Sequence, residues 1–292
     1  IKPDYAEAYN NMGNTLKDQG KFAEAILTYI KSLIIKPEYA DALYNIANAR
    51  KEQGKLDEAI AAYNKVITIM PDRVDAYYNK GNALGDQRKL DEAIRSYKEA
   101  ISIKPNYADA FYNIGIILKY QGSSAEALRS FKKSLLTKPN YTEAFYNLGT
   151  ILQKLGKPDE ALTFYTKALF IKPDYTETHY SLGVILQNQK KCHEAIASYK
   201  KAVAITPDYR TPYNNLGVIF QEKEKSDEAM AFYNKAHVIK PDDADTHYNF
   251  GIILQNKFKS NEAIASYSKA LAINPEAAHA YYNIGNALKG QG

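Results

Sequence analysis

Apolar side chains recur along this chain at helical spacing, and the pattern stops and restarts at a fixed interval. In residues 6–39, Ala8, Met12 and Leu16 fall four residues apart. After a polar break at Gln19-Gly20-Lys21 the spacing resumes with Ala25, Ile26, Tyr29 and Leu33. Residues three and four apart share one face of a helix. The segment therefore predicts helices over about 6–19 and 23–36, joined by a tight turn. Gly20 supplies the left-handed conformation that ends the first helix. Glu24 lies in the first turn of the second, where the helix dipole favours an anion. Pro37 closes that helix, because the residue before a proline is pushed out of the helical region. Glu38 is the expected cap of the next helix, as are Asp4, Asn106 and Asp174 at the same place elsewhere.

The interval is 34 residues. Pro3, Pro37, Pro71, Pro105, Pro139, Pro173, Pro207, Pro241 and Pro275 keep it without a slip, and Pro158 and Pro212 alone stand outside it. A fixed period of this length means a solenoid whose units touch only their neighbours, a shape that favours binding over catalysis. The full repeats run 6–39, 40–73, 74–107, 108–141, 142–175, 176–209, 210–243 and 244–277. Residues 278–292 give the first helix of a ninth repeat, and residues 1–5 the tail of one before the first. Both ends cut through the pattern with no polar capping helix, so the array reads as part of a longer one. Its end helices, near Met12 and Leu16 and near Ile284 and Leu288, are expected to leave apolar surface for head-to-tail stacking. At the interhelix turn Gly54, Gly122 and Gly156 match Gly20, whereas Arg88, Lys190, Glu224 and Phe258 hold the same place without glycine. If those four keep the same backbone, each carries a strain of order 1 kcal/mol.

Numbering each repeat 1 to 34 from Ala6 exposes further regularities. Position 8 is Gly or Ala throughout, from Gly13 and Ala47 to Gly285. Position 20 is Ala in all eight full repeats, and position 24 is aromatic in all eight, from Tyr29 to Tyr267. Small residues at 8 and 20 let paired helices approach, and the ring at 24 fills the seam. With these residues in register over its length, the chain resembles the tetratricopeptide repeat family. The resemblance implies an all-α fold, a right-handed superhelix or α-solenoid of helix-turn-helix repeats. It also implies that positions 2, 5, 6, 9, 12 and 13 of the first helices look into a concave groove.

Position 6 would put a row of asparagines in that groove: Asn11, Asn45, Asn79, Asn113, Asn147, Asn215, Asn249 and Asn283, broken by Ser181. An amide has both a donor and an acceptor, so it can grip a peptide backbone regardless of sequence. The row, and residues 8–17 (AYNNMGNTLK), resemble the repeat region of O-linked N-acetylglucosamine transferases. The alternative is that each Asn bonds a neighbouring helix or loop. Position 5 adds tyrosines, among them Tyr112, Tyr146 and Tyr180, part of which pack between helices. Position 9 turns from Asn14, Asn48 and Asn82 to apolar residues such as Val184 and Val218, and position 12 becomes Gln153, Gln187, Gln221 and Gln255. The late groove is therefore expected to be apolar and fringed by amides. The amides of Asn147, Asn215 and Asn249 are expected to be exposed and unpaired.

The repeats fall into two classes. In the first three, position 10 is small or polar (Thr15, Ala49, Ala83) and position 17 large (Phe22, Leu56, Leu90). In the next five, position 10 is Ile117, Ile151, Ile185, Ile219 or Ile253, and position 17 is Ser124, Pro158, Cys192, Ser226 or Ser260. The swap conserves volume and implies that the two side chains of a repeat share one space, unless each pairing was simply copied by duplication.

Composition narrows the function. Cys192 stands alone, which suits a reducing, intracellular and cytoplasmic setting. There is no apolar run long enough for a membrane helix and no leader pattern. The net charge of +5 comes from 38 basic and 33 acidic residues scattered along the chain. With acids at position 2, such as Asp41 and Asp109, this is a poor footprint for nucleic acid. The five His do not gather into a metal site, and no nucleophile or phosphate motif appears. Arg50 and Lys80 replace apolar residues and are expected to pack their stems and snorkel; an acidic-ligand site is the alternative. The reading is a scaffold without catalysis or cofactor that holds an extended peptide or partner segment. The other readings are the substrate-recruiting arm of a glycosyltransferase and a self-assembling element.

Overall fold

The computed structural model describes residues 5–290. Pro3 and the Asp4 cap lie outside the described residues. Among these residues the chain forms seventeen helices and no strand. They are α1 (Ala6–Asp18), α2 (Phe22–Ile35), α3 (Ala40–Glu52), α4 (Leu56–Ile69), α5 (Val74–Asp86) and α6 (Leu90–Ile103). Then come α7 (Ala108–Tyr120), α8 (Ser124–Thr137), α9 (Thr142–Lys154), α10 (Pro158–Ile171), α11 (Thr176–Asn188) and α12 (Cys192–Ile205). The series ends with α13 (Arg210–Glu222), α14 (Ser226–Ile239), α15 (Ala244–Asn256), α16 (Ser260–Ile273) and α17 (Ala278–Lys289). The expected helix bounds are met to within a residue.

Two compact units divide the chain, residues 1–144 and 145–292. In the first, α1 pairs with α2, α3 with α4, α5 with α6 and α7 with α8 as helical hairpins, and each second helix packs on the next first helix. The first helices also touch one another, α1 with α3 and α3 with α5. The second unit repeats the arrangement, with α13 touching α15. First helices therefore share one face in each unit.

The seam inside each hairpin is built as the spacing implies. Ala at position 20 is fully buried from Ala25 to Ala263, and so are Tyr29, Tyr63, Phe131, Tyr165, Tyr199, Tyr233 and Tyr267 at position 24. Where position 8 is glycine the ring lies against its backbone, whereas the second repeat accommodates Ala47 beside Tyr63. A Cβ on Gly81 would stand 2.6 Å from Tyr97 Cε1, and one on Gly115 2.8 Å from Phe131 Cε1. Neither approach is possible without moving the ring. Gly285, whose repeat has no second helix in this sequence, has nothing within 4 Å of such a Cβ.

The turns also behave as expected. Gly20, Gly54, Gly122 and Gly156 have φ between 73° and 81°, and Arg88, Lys190, Glu224 and Phe258 take φ of 59–62°. The turn is imposed by packing of the two helices, and the L-residues accept its strain. The cap expectation is corrected. Glu38, Asn106 and Asp174 lie one residue before the N-cap, which falls at position 34, as at Tyr39, Tyr107 and Tyr175. None of those three tyrosines makes a side-chain cap hydrogen bond. Asp243 at the same position does cap its helix, accepting from the Thr246 amide at 3.0 Å. Position 4 serves the loop instead in two repeats. His179 Nε2 donates to the Pro173 carbonyl at 2.8 Å and His247 Nε2 to the Pro241 carbonyl at 3.0 Å.

The volume swap finds its packing across repeats. Leu56 packs on the cluster that holds Ala83 of the next repeat, and Cys192 on the cluster that holds Ile219 of the next repeat. Position 17 thus shares a cluster with position 10 of the following hairpin. At the end helices Met12 and Leu288 are exposed, and Leu16 and Ile284 half-buried.

Three outcomes are expected. Lys190→Gly and Glu224→Gly relieve a left-handed backbone, so each should raise stability in urea melts by up to about 1 kcal/mol, less the added freedom of the unfolded chain. Ile219→Ala should cost about 2–5 kcal/mol. Cys192→Leu should restore part of that loss and much less of the loss from Ile185→Ala; equal rescue in a double-mutant cycle would place the contact within one repeat. Burial holds the His179 and His247 imidazoles below their ordinary range. The unfolded chain then binds more protons, so stability should fall as pH drops below about 6.5. Thermal melts of the His179→Phe, His247→Phe double variant should show that acid slope flattened.

Candidate functional site

The first-helix face is organised by the hydroxyls of the buried tyrosines. Burial pushes the phenols of Tyr63, Tyr97, Tyr165, Tyr199 and Tyr233 far above their usual range. They remain protonated, and each must find an acceptor. In the early repeats the acceptor is the amide at position 9. Tyr29 donates to Asn14 Oδ1 at 2.8 Å, Tyr63 to Asn48 at 2.6 Å and Tyr97 to Asn82 at 2.8 Å. In the late repeats it is the glutamine at position 12. Tyr165 donates to Gln153 Oε1 at 2.9 Å, Tyr199 to Gln187 at 2.8 Å, Tyr233 to Gln221 at 3.0 Å and Tyr267 to Gln255 at 2.8 Å. The fourth repeat carries Phe131 at position 24, and it has neither acceptor, with Ile116 and Lys119 at positions 9 and 12. This dependence of three positions on one hydroxyl was visible in the sequence as Phe131 and its missing partners, and spacing alone did not reveal it.

The asparagine row is bonded to side chains of the preceding hairpin, to a position 24 hydroxyl at Asn215 and to position 5 side chains at Asn45, Asn79 and Asn283. Asn215 Nδ2 donates to Tyr199 OH at 3.1 Å, Asn79 to Tyr44 OH at 2.6 Å, Asn283 to Tyr248 OH at 3.0 Å and Asn45 to Asn10 Oδ1 at 2.9 Å. Asn113 Nδ2 lies 3.1 Å from Asn82 Oδ1 and 3.2 Å from Tyr78 OH. The expectation of a row with unpaired amides is therefore corrected. Asn147 is buried, at 6% exposure, and Asn215 is half-buried and bonded. Asn249 is half-buried, and Asn11 is exposed. The physical reason is that position 6 lies over the hydroxyl of the preceding hairpin, a stronger partner than water for a half-buried amide. What remains is directional. Among the described residues Asn215 Oδ1 and Gln187 Nε2 keep no partner, so the relay from Gln187 through Tyr199 to Asn215 leaves one acceptor and one donor free.

Tyr112, Tyr146 and Tyr180 are half-buried packing elements as well. Their rings lie 4.7, 5.3 and 5.3 Å from Tyr141, Tyr175 and Tyr209 at position 34 of the same repeat. The pair changes chemistry but keeps contact elsewhere. Arg73 lies over the Tyr44 ring at 4.4 Å. Asn214 and Arg210 donate to Asp243 at 3.3 and 2.7 Å. Burial works to raise the Asp243 carboxyl, but the bonds from Thr246, the Arg210 charge and Asn214 outweigh it and leave it low. Val184 and Val218 are half-buried against the clusters below this face. Gln187 and Gln221 are half-buried with their carbonyls engaged.

The charged oddities resolve differently. Arg50 pairs with Glu58 at 3.0 Å, so its head is neutralised. The position 2 acids are partly paired too, Asp41 and Asp75 with Arg73 and Asp109 with Lys138. Among the described residues no helix is long and apolar enough to cross a membrane, and no three His, Cys, Asp or Glu residues gather to hold a metal.

A solved structure titled YrrB, a tetratricopeptide protein "with an unusual peptide-binding site", is 28% identical over 63% of this chain and 95% of its own, with a TM-score of 0.55. MamA is 26% identical over 55% of this chain and 94% of its own, with a TM-score of 0.52. PilF of Pseudomonas aeruginosa, 17% identical over 71% of this chain and 94% of its own with a TM-score of 0.62, shares the fold. A comparison with curated proteins gives no match. None of these comparisons shows the expected resemblance of residues 8–17 to the repeat region of O-linked N-acetylglucosamine transferases. Family models described as TPR repeat match residues 13–54, 47–87, 81–122 and 259–292, and models described as tetratricopeptide repeat match 108–141, 142–175 and 174–242. Helical hairpins of one period among the described residues, matched by these models over most of the chain, place it in the tetratricopeptide repeat family.

Proposed function

We propose that the chain is a protein-interaction scaffold, and that the first-helix face of its second unit binds the main chain of an extended peptide. The repeat family supports a scaffold in general terms, and YrrB offers a relative with a peptide-binding site. The observation that carries the finer reading is the relay of Gln187, Tyr199 and Asn215. A peptide unit presents one N–H and one C=O. The relay presents one free acceptor and one free donor, both held by a buried hydroxyl that does not titrate near neutrality. Held amides lose little freedom on binding, which is the advantage of preorganisation. Gln221 and Gln255 extend the donor row, Asn283 the acceptor row, and Val184 and Val218 supply an apolar floor.

The test starts from twelve-residue peptides selected on the full chain from a displayed random library. Asn215→Ala leaves Tyr199 bonded to Gln187, so stability should change by about 1 kcal/mol or less. Affinity for the selected peptides should fall about tenfold, as a peptide N–H loses its acceptor. Val184→Asp should weaken binding separately. Lys201→Ala, on the second helix of the same hairpin, should leave it unchanged. Selected peptides that bind the Asn215→Ala variant as tightly as the parent chain would overturn the reading.

A further inference from the structure

The junction between the two repeat classes is itself a place on the molecule. In the first unit a cavity of about 560 Å³ opens on the first-helix face between α5 and α7. Two departures from the repeat explain it. Position 12 is Gly85, where other full repeats carry Lys or Gln, and a Cβ there would meet nothing within 4 Å. At this junction Leu90 at position 17 faces a following repeat whose position 10 is Ile117, so large meets large and both line the opening. Ile116 and Tyr120, 37% and 72% exposed, continue its apolar wall. The volume falls in the range of roughly 300–1,000 Å³ typical of sites that enclose a ligand group.

The rim is polar and biased. Lys51 and Arg88 line the cavity and make no ion pair among the described residues, and Asp86 lines it with none either, leaving a net positive rim. Arg88 is held there in the left-handed conformation, at φ 60°, as Lys190, Glu224 and Phe258 are in their own turns, and the turn points its side chain to the rim. Asn113 also lines it. Its Nδ2 is taken by Asn82 and the tyrosine hydroxyls, and its Oδ1 keeps no partner among the described residues.

We propose that this cavity binds a bulky apolar side chain of a peptide partner, with an adjacent acidic residue on the rim. The aromatic or aliphatic group covers Leu90, Ile116, Ile117 and Tyr120. The carboxylate meets Lys51 and Arg88, and Asn113 Oδ1 accepts a main-chain N–H. The proposal rests on the peptide-binding reading for the class of partner, but it lies on other residues and is tested with other ligands.

Four fluorescein-labelled nonapeptides of Gly and Ser, with Phe-Glu, Phe-Gln, Ala-Glu or Ala-Gln at the centre, are titrated with the full chain. Phe-Glu should bind best. Loss of the ring should cost about tenfold or more, and loss of the carboxylate roughly threefold with weaker dependence on salt. Gly85→Gln fills the cavity with a residue other repeats carry there and removes a helical glycine, so it should fold at least as well as the parent. Arg88→Gly restores the common turn residue and relieves strain. Both should keep or raise Tm. Gly85→Gln should weaken Phe-Glu binding about tenfold and Arg88→Gly roughly threefold. The ratio of Phe-Glu to Ala-Gln affinity should be the same in Asn215→Ala as in the parent chain, because Asn215 does not line the cavity, and this separates the cavity from the late face. The proposal is overturned if Phe-Glu does not bind, if Ala-Gln binds equally well, or if both folded variants bind like the parent chain.

Discussion

The first-helix face depends on one contact, the aromatic ring at position 24 lying on a backbone that carries no side chain or, at Ala47, only a methyl group. With 2.6 Å between a hypothetical Gly81 Cβ and Tyr97 Cε1, no larger residue fits unless the ring moves. That ring is one of the largest groups in the core, and its burial is worth several CH₂ equivalents of transfer free energy. The helices of a hairpin are thereby held at a separation set by one ring thickness. Ala at position 20 adds no bulk to disturb it. The interhelix turn then has to close the remaining gap in three residues, which is why it adopts positive φ even where the residue is Arg88 or Phe258.

Fixing the ring also fixes its hydroxyl. A buried phenol cannot ionise near neutrality and cannot go without an acceptor. Two solutions appear in one chain, Asn at position 9 early and Gln at position 12 late, and the repeat with Phe131 needs neither. The consequence reaches the surface. Because the hydroxyl donates to the amide oxygen of Gln187 and accepts from the amide nitrogen of Asn215, each amide is turned one way. A row that reads in sequence as ambivalent donors and acceptors becomes an oriented one.

A second set of contacts joins position 5 to position 34 and tolerates several chemistries: stacked tyrosines, arginine over tyrosine, and a carboxylate with an amide and a guanidinium. Contact is retained while polarity changes, as expected where packing density matters more than residue type. The junction of the two classes is different. There Leu90 and Ile117 bring bulk together and Gly85 takes it away, and the face opens into a cavity instead of closing. Uniform repeats bury uniform seams, and a local departure from uniformity is where a repeat protein can acquire a distinctive site.

The period, the helix bounds, the glycine and alanine seam, and the left-handed turns were all legible in the residues. Each follows from local sterics: what proline forbids, what glycine permits, and which positions share a helical face. Gly81 and Tyr97 announced their contact because only one arrangement of a hairpin lets them meet. The direction of the amides, the partner of the volume swap and the N-cap were decided by tertiary structure. In an array of identical period, position 10 stands in the same sequence relation to position 17 whether the two meet within one repeat or across the next boundary. Copying therefore hides which neighbour is packed against, and the packing of α4 on α5 brings Leu56 onto the cluster that holds Ala83. Asn215 likewise carries no mark in the sequence of the hydroxyl beneath it. That hydroxyl comes from another hairpin, and its place is set by how closely the two hairpins pack.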